Sequence, residues 1–295
     1  MEELSYDAID TDQKYTHWKY PLTERFERHL EAVQNTHPWH MQRSPWGPPV
    51  APPTVLGNAA MRFMEAMAGA VPPGTLHARQ EIETQAALRR DRRLIGYGRF
   101  AEKYEKRGRR WFVWEARFRD ETGLMIGHSR ITMALPLNPA APAPPEQGAR
   151  SKEQKKAPDR TPGLTPITRT ITQEQMTAYS EDSGNAQRGK SIHVQPEVAK
   201  AAGFEATVAQ GLMTADYISE MMTNELGKEW FENAKLSLAF LRPVLCGETV
   251  TANGRLAEAH EEGAVVRRVY EVWCDNAAGE PVASGTATAL VMPGR

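Results

Sequence analysis

The sequence reads ATVAQGLMTADYISEMM at residues 206–222 and PPVAPPTVLGNAAMRFMEAM at residues 48–67. Each stretch opens near a Val-Ala pair and then becomes a long run of apolar residues at helical spacing. A helix that is apolar on nearly all sides has to be buried in the protein. We therefore expect two buried helices, one in each half of the chain.

The similarity between the two halves extends outward from these helices. Upstream, residues 22–42 and 171–195 each predict a short helix that begins at a threonine cap, Thr23 or Thr172. Downstream, each half alternates apolar and polar residues between Gly-bearing turns, which predicts three or four antiparallel strands. The chain is therefore predicted to be a duplicated α+β unit, in which each antiparallel sheet wraps one central helix.

The segment between the two copies has the composition of a linker. Residues 137–166 are rich in Pro, Ala, Gly, Lys and Gln and contain no aromatic residue. Such a segment cannot bury enough apolar surface to offset the entropy lost on ordering. We predict an N-terminal domain at residues 1–136 and a C-terminal domain at residues 167–295.

Composition and charge exclude several classes of protein. The chain has 295 residues, of which 40% are hydrophobic and 25% charged, as in globular proteins. Its net charge of −1 provides no chain-wide basic field for nucleic acid. No apolar run approaches the ~20 residues of a membrane span, and the acidic N-terminus is unlike a secretory signal. Two cysteines, Cys246 and Cys274, argue against a disulfide framework or a cysteine-based metal site. We expect a cytoplasmic protein that binds neither nucleic acid nor a membrane and holds no metal.

One stretch of the second half resembles a known family. Residues 179–193 read YSEDSGNAQRGKSIH, and residues 208–211 read VAQG. This is similar to the MaoC-like dehydratases, the family of R-specific enoyl-CoA hydratases. Their motif is Tyr, a few residues, Ser-Gly-Asp-x-Asn-Pro-x-His, and then Ala-His-Gly or Ala-Gln-Gly. The resemblance implies a double hot-dog fold with a working second half and a degenerate first half.

The resemblance also implies roles for the residues that match the motif. Family members add water to an enoyl thioester or remove it, so His193 would be the general base. The amide of Gly211, at a helix N-terminus, would bind the thioester oxygen as negative charge develops there. Gln210 and Gln187 are assigned to the same substrate and oxyanion site. Coenzyme A would enter only as part of the substrate, and no separate cofactor is implied.

The chain departs from the family at the aspartate of the motif, where Asn185 stands. An amide cannot accept a proton as a carboxylate does. Three alternatives follow: Asp182 presents its carboxylate on the same helix face, His193 works alone beside Asn185, or the pocket binds an acyl thioester without hydrating it. In the first half, Asn35 and His40 occupy the corresponding positions.

We therefore predict a hydro-lyase acting on an enoyl or 3-hydroxyacyl thioester linked to coenzyme A. The alternatives are an acyl-CoA thioesterase on the same fold and a non-catalytic subunit that binds acyl thioesters. Unpaired sheet edges predict self-association into a homo-oligomer. Two basic clusters, residues 89–93 and 103–110, would either meet the phosphates of coenzyme A or protect a strand edge from aggregation.

Overall fold

Both halves of the chain contribute strands to the same antiparallel sheet. The computed structural model describes residues 3–20, 24–136, 161–183 and 191–294, with the backbone alone for residues 24–25 and 181–183. Within these residues, ten strands form one continuous sheet. In chain order they are β1 Tyr15–Tyr20, β2 Leu76–Thr84, β3 Leu94–Lys106, β4 Arg109–Asp120, β5 Met125–Ala134, β6 Ile167–Thr170, β7 Ala234–Phe240, β8 Thr249–Glu262, β9 Val265–Asn276 and β10 Pro281–Val291.

The described residues also form six α-helices, of which the third and sixth are the long ones. They are α1 Glu24–Val33, α2 Pro38–Met41, α3 Val55–Ala68, α4 Gln173–Ser183, α5 Pro196–Ala201 and α6 Gly211–Leu226, and a 3₁₀ turn at Gly227–Trp230 follows α6. No helix in this part of the chain is both long and apolar enough to cross a membrane.

The order of the strands reveals an internal two-fold arrangement. Across the sheet the order is β1-β3-β4-β5-β2-β7-β10-β9-β8-β6, so β2 and β7 are neighbours at its centre. These two strands pair antiparallel, with Gln80 opposite Leu238. Outward from this pair, each strand of the first half has its counterpart at the same distance in the second half. The predicted duplicated α+β fold is therefore confirmed, with four strands after each long helix where three or four were expected. The two predicted sheets join into one through the pairing of β2 with β7.

The two long helices pack against the same side of their own halves of the sheet. Helix α3 contacts β2 to β5, and α6 contacts β8 to β10. Phe63 and Met64 on α3 and Met213 on α6 are completely buried, as apolar helices between other elements should be. The expectation that the whole apolar helix is buried is wrong for Met67, which is 44% exposed. Met67 lies in the last turn of α3.

Candidate active site at the start of helix α6

Helix α4 begins with a capping box, which confirms the threonine cap predicted at residue 172. The hydroxyl of Thr172 accepts a hydrogen bond from the amide of Gln175 (3.3 Å), and the side chain of Gln175 accepts one from the amide of Thr172 (2.8 Å). Two backbone N–H groups that the helix leaves unpaired are thereby satisfied. The corresponding Thr23 lies outside the described residues.

His193 contacts the segment that leads into α6. Its Nδ1 lies 2.6 Å from the carbonyl oxygen of Val208. A carbonyl can only accept, so Nδ1 carries the proton and Nε2 of the neutral ring presents its lone pair. Burial lowers the pKa of His193 below its usual value, and the hydrogen bond to Val208 opposes this shift. The ring is therefore uncharged at neutral pH and can accept a proton at Nε2.

The turn that carries His193 is fastened to α4 through Gln173. The side-chain amide of Gln173 donates to the carbonyl of His193 (3.0 Å), and its oxygen accepts from the hydroxyl of Thr207 (2.5 Å). The amide of His193 donates to the hydroxyl of Ser191 (3.2 Å). Gln173 thus joins the histidine turn to the strand-like segment before Val208. This role has no distinctive sign in the sequence, since polar residues are common at the start of helices.

The N-terminus of α6 adjoins His193 and presents free hydrogen-bond donors. The amide of Val208 donates to the carbonyl of Ile192 (3.0 Å), which holds the two segments side by side. Gln210 is extended (φ −65°, ψ 131°), and the helix begins at Gly211. Among the described residues, the amides of Gly211 and Leu212 have no hydrogen-bond partner. They lie at the positive end of the helix dipole, where negative charge is stabilised.

The side chain of Gln210 is buried and points toward α4. Its Nε2 donates to the carbonyl of Met176 (3.2 Å) and to the hydroxyl of Ser180, while its Oε1 has no partner in the described part of the chain. Its donors are therefore used in fixing α4 against the start of α6. Gln210 thus joins α4 to the residue before Gly211, and its role toward substrate stays a prediction.

The predicted partners of His193 lie where the structure gives no side-chain description. Asn185 and Gln187 fall outside the described residues, and for Asp182 only the helical backbone of α4 is described. Which of the two, Asn185 or Asp182, faces the imidazole stays a prediction.

The first half repeats the histidine geometry. Nδ1 of His40 lies 2.7 Å from the carbonyl oxygen of Val50, as Nδ1 of His193 does from that of Val208. His40 is completely buried, and burial lowers its pKa to about 4. Its Nε2 has no partner among the described residues. Asn35 accepts a hydrogen bond from the amide of His37 (3.1 Å), which shapes the turn before α2.

The two halves differ in the donors at the start of their central helices. Counting from the Val-Ala pairs, Pro53 stands where the second half has Gly211. Proline has no N–H, and Pro52 precedes it. The amide of Thr54 corresponds to that of Leu212, and the next one, on Val55, is bonded to the carbonyl of Pro52 (3.1 Å). The first half therefore lacks a donor at the position of Gly211, so we place the candidate site in the second half.

A buried polar network, which the sequence analysis missed, lies where α1, α3, α4 and α6 meet. Asp216 accepts hydrogen bonds from His29 (3.2 Å), Tyr179 (2.9 Å) and Thr54, and the side-chain amide of Asn58 contacts Nδ1 of His29 (3.1 Å). None of these residues is more than 2% exposed. Asp216 accepts hydrogen bonds from three donors, is closed to solvent, and joins the two halves of the chain. The sequence holds one sign of this network. A polar residue stands at the same distance after each Val-Ala pair, Asn58 in the first half and Asp216 in the second.

A narrow gap, too small to admit a water molecule, lies beside the start of α3. Its walls come from the residues that lead into α3, from α6 and its following turn, and from the two central strands. The lining residues are Pro53, Thr54, Ile82, Thr84, Ser219, Trp230, Ala234 and Leu236. This gap adjoins the first-half helix start, the side without the glycine amide.

The basic clusters are largely engaged with protein groups. Three arginines of the first cluster each pair with a carboxylate: Arg89 with Asp91, Arg90 with Glu27 and Arg92 with Asp120. In the second, Lys103 donates to the carbonyl of Ile9 (2.7 Å) and Arg110 pairs with Glu105 (3.1 Å). Both contacts favour a solvated strand edge for the second cluster over a phosphate site. Within the described residues, no group of three or more His, Cys, Asp or Glu side chains could hold a metal ion.

Comparison with known proteins agrees with this fold. Residues 153–272 match the family model described as MaoC like domain. A solved structure named MaoC-like dehydratase is 16% identical, with 98% of this chain and 99% of that chain covered and a TM-score of 0.72. A MaoC-like dehydratase from Phytophthora capsici is 16% identical over 97% and 99% of the two chains, with a TM-score of 0.68.

A third solved structure names the fold directly. It is a conserved hypothetical protein from Mycobacterium tuberculosis described as having a double hotdog fold, 13% identical over 97% of both chains, with a TM-score of 0.65. No curated protein matches the chain by sequence. The chain has the α+β double hot-dog fold, and its second half contains a MaoC-like domain.

Proposed function

We propose that this protein is a hydro-lyase that adds water to an enoyl thioester, or removes it from a 3-hydroxyacyl thioester, with coenzyme A as the thiol. One observation carries the proposal: Nδ1 of His193 is bonded at 2.6 Å to the carbonyl of Val208, three residues before the free amide of Gly211. The neutral base therefore contacts the segment that leads to the helix-terminal donor. This is the pair of groups that addition of water to a conjugated thioester needs.

In the hydration direction, His193 moves a proton twice. Its Nε2 removes a proton from water as the water oxygen bonds to the β-carbon of the enoyl group. The electron pair of the double bond shifts toward the thioester oxygen, and the amide of Gly211 stabilises the charge that develops there. The imidazolium then returns its proton to the α-carbon, which leaves a 3-hydroxyacyl thioester. Dehydration follows the same steps in reverse.

The partner of Nδ1 limits the strength of this base. A carbonyl oxygen carries only a partial charge, so it supports the imidazolium less than a carboxylate would. The family motif places an aspartate where this chain has Asn185. We propose that His193 acts with Asn185 or Asp182 beside it, at a lower rate than a histidine paired with a carboxylate.

Paired substitutions in the two halves test the function. Asparagine keeps an N–H that can reach the main-chain carbonyl but has no group equivalent to Nε2. We expect His193→Asn to abolish the loss of enoyl absorbance when the purified chain is mixed with crotonyl-CoA. The matched variant His40→Asn should retain that activity.

The same assay separates the alternatives. A thioesterase would release free thiol from acyl-CoA, whereas a hydro-lyase consumes the conjugated double bond and releases none. A binding subunit would bind crotonyl-CoA and leave it unchanged over a panel of enoyl and 3-hydroxyacyl thioesters. Either result would contradict the proposed hydro-lyase.

A further inference from the structure

The space beside the amide of Gly211 is filled by the ring of Phe240. A Cβ built on Gly211 would lie 3.1 Å from Cδ1 and Cγ of Phe240 and 3.2 Å from its Cε1. These similar distances mean that the ring lies against the α-carbon of Gly211. Phe240 ends β7, so the ring occupies the gap between the start of α6 and the sheet.

A histidine of the first half also contacts this ring. The rings of His77 and Phe240 meet edge-on, with centroids 4.9 Å apart and an interplanar angle of 68°. His77 belongs to β2, which pairs with β7 through Arg79 opposite Ala239. Nε2 of His77 is buried without a partner among the described residues. Burial lowers its pKa to about 4, so it meets Phe240 as an uncharged ring.

The first half carries a smaller side chain at the same place. Ile82 and Phe240 are 158 residues apart, as are Val50 and Val208 of the two Val-Ala pairs, so the two positions are equivalent. Ile82 lines the narrow gap at the start of α3. The aliphatic side chain there faces a proline, whereas in the second half the phenyl ring lies against a glycine.

We propose that Phe240 is the specificity-determining residue of the site and restricts the substrates to short-chain acyl thioesters. The inference rests on the proposed function, which places the thioester oxygen at the Gly211 amide. The first carbons of the acyl group then lie beside Gly211. A chain that continues between α6 and the sheet would need the space of the ring, which packs against both Gly211 and His77.

Chain-length preference tests this proposal. We would compare kcat/KM of the full chain on crotonyl-, hexenoyl- and octenoyl-CoA, and expect a fall of about tenfold or more between the first and the last, because one methylene that a pocket cannot hold costs about tenfold. Phe240→Ala should raise the octenoyl-to-crotonyl ratio by about tenfold or more. Phe240→Leu, which keeps more of the packing, should raise it less. The matched variant Ile82→Ala should leave the ratio unchanged.

Binding separates this proposal from the catalytic one. Calorimetric dissociation constants for butyryl- and octanoyl-CoA should favour the shorter chain in the wild type, and Phe240→Ala should remove the preference, with or without turnover. If no thioester is turned over but this pattern appears, the hydro-lyase assignment fails and the chain-length limit stands. If the wild type prefers the longer chain, or if Phe240→Ala and Ile82→Ala shift the ratio equally, Phe240 does not set the limit.

Discussion

Replacement of Gly211 by proline would remove one amide donor from the candidate site and leave the start of α6 intact. Gln210 is extended (ψ 131°), which is the conformation that a residue before proline prefers. Proline is also favoured in the first turn of a helix. The first half of this chain already builds α3 behind Pro53 at the equivalent position. The backbone around Gly211→Pro should therefore keep its conformation.

The expected loss follows from the role of a single donor to a developing oxyanion. Removal of one such donor in a pre-organised site costs about 10²–10³ in kcat, or roughly 2.7–4 kcal/mol. The amide of Leu212 stays free at the same helix terminus. Activity on crotonyl-CoA should accordingly fall by this factor without vanishing.

The control variant separates the donor from crowding. Gly211→Ala keeps the N–H but adds a Cβ that would lie 3.1 Å from the ring of Phe240, closer than most such contacts. Initial rates with crotonyl-CoA, at matched circular dichroism and thermal midpoints, should place Gly211→Pro about 10²-fold or more below Gly211→Ala. Pro53→Ala should keep the wild-type rate. Equal losses in the alanine and proline variants of Gly211 would show that the amide is not the donor.

Three further results are expected. Because burial lowers the pKa of His193 below the 6.5 of an ordinary histidine, the acid limb of the kcat/KM profile should lie below pH 6.5. An acid limb above that pH would exclude His193 as the base. Gln173→Ala should loosen the turn that carries His193. We expect kcat to fall about tenfold or more with little change in KM, and the acid limb to move. An unchanged kcat in this variant would show that Gln173 does not position His193. His40 stays neutral in the folded protein, with a pKa of about 4, whereas a histidine of the unfolded chain takes up a proton below about pH 6.5. The free energy of unfolding therefore falls as the pH drops below that value. Urea unfolding should therefore show the wild type losing about 2 kcal/mol more than His40→Asn between pH 6.5 and 5, and identical pH slopes would refute this.

The duplicated fold could be predicted because periodicity survives divergence. The apolar helices and the alternating strands carry their own signals in the sequence. The short strands Tyr15–Tyr20 and Ile167–Thr170 were missed, since they lie at the sheet edges and half or more of their residues face solvent. The pairing of β2 with β7 also had no local signal, because it joins strands from different halves.

In the candidate site, only the groups that a sequence motif marks by residue type could be predicted. The resemblance to the MaoC-like motif implied that His193 and Gly211 share one site, and the structure places the histidine beside the segment that leads to the glycine. The partner of its Nδ1 is a main-chain carbonyl, which every residue possesses, so no residue type marks it. Gln173 and Phe240 act through contacts that depend on their positions in the fold. Their residue types alone do not distinguish them from any other glutamine or phenylalanine of the sequence.

The two halves have diverged in chemistry while remaining joined in their interior. Pro53 leaves the first half without the donor that Gly211 supplies, yet His29 and Thr54 of that half donate to Asp216 of the other. Removing one partner of a buried hydrogen bond leaves a polar group unsatisfied at a cost of about 1–3 kcal/mol, a noticeable fraction of the stability of an ordinary domain. The first half is therefore held to the second by its hydrogen bonds to Asp216, one of which comes from Thr54 at the start of α3. Pro53 makes none of these hydrogen bonds, so this contact between the halves does not depend on the donor that the proline lacks, and His77 of the first half contacts Phe240 beside the candidate site.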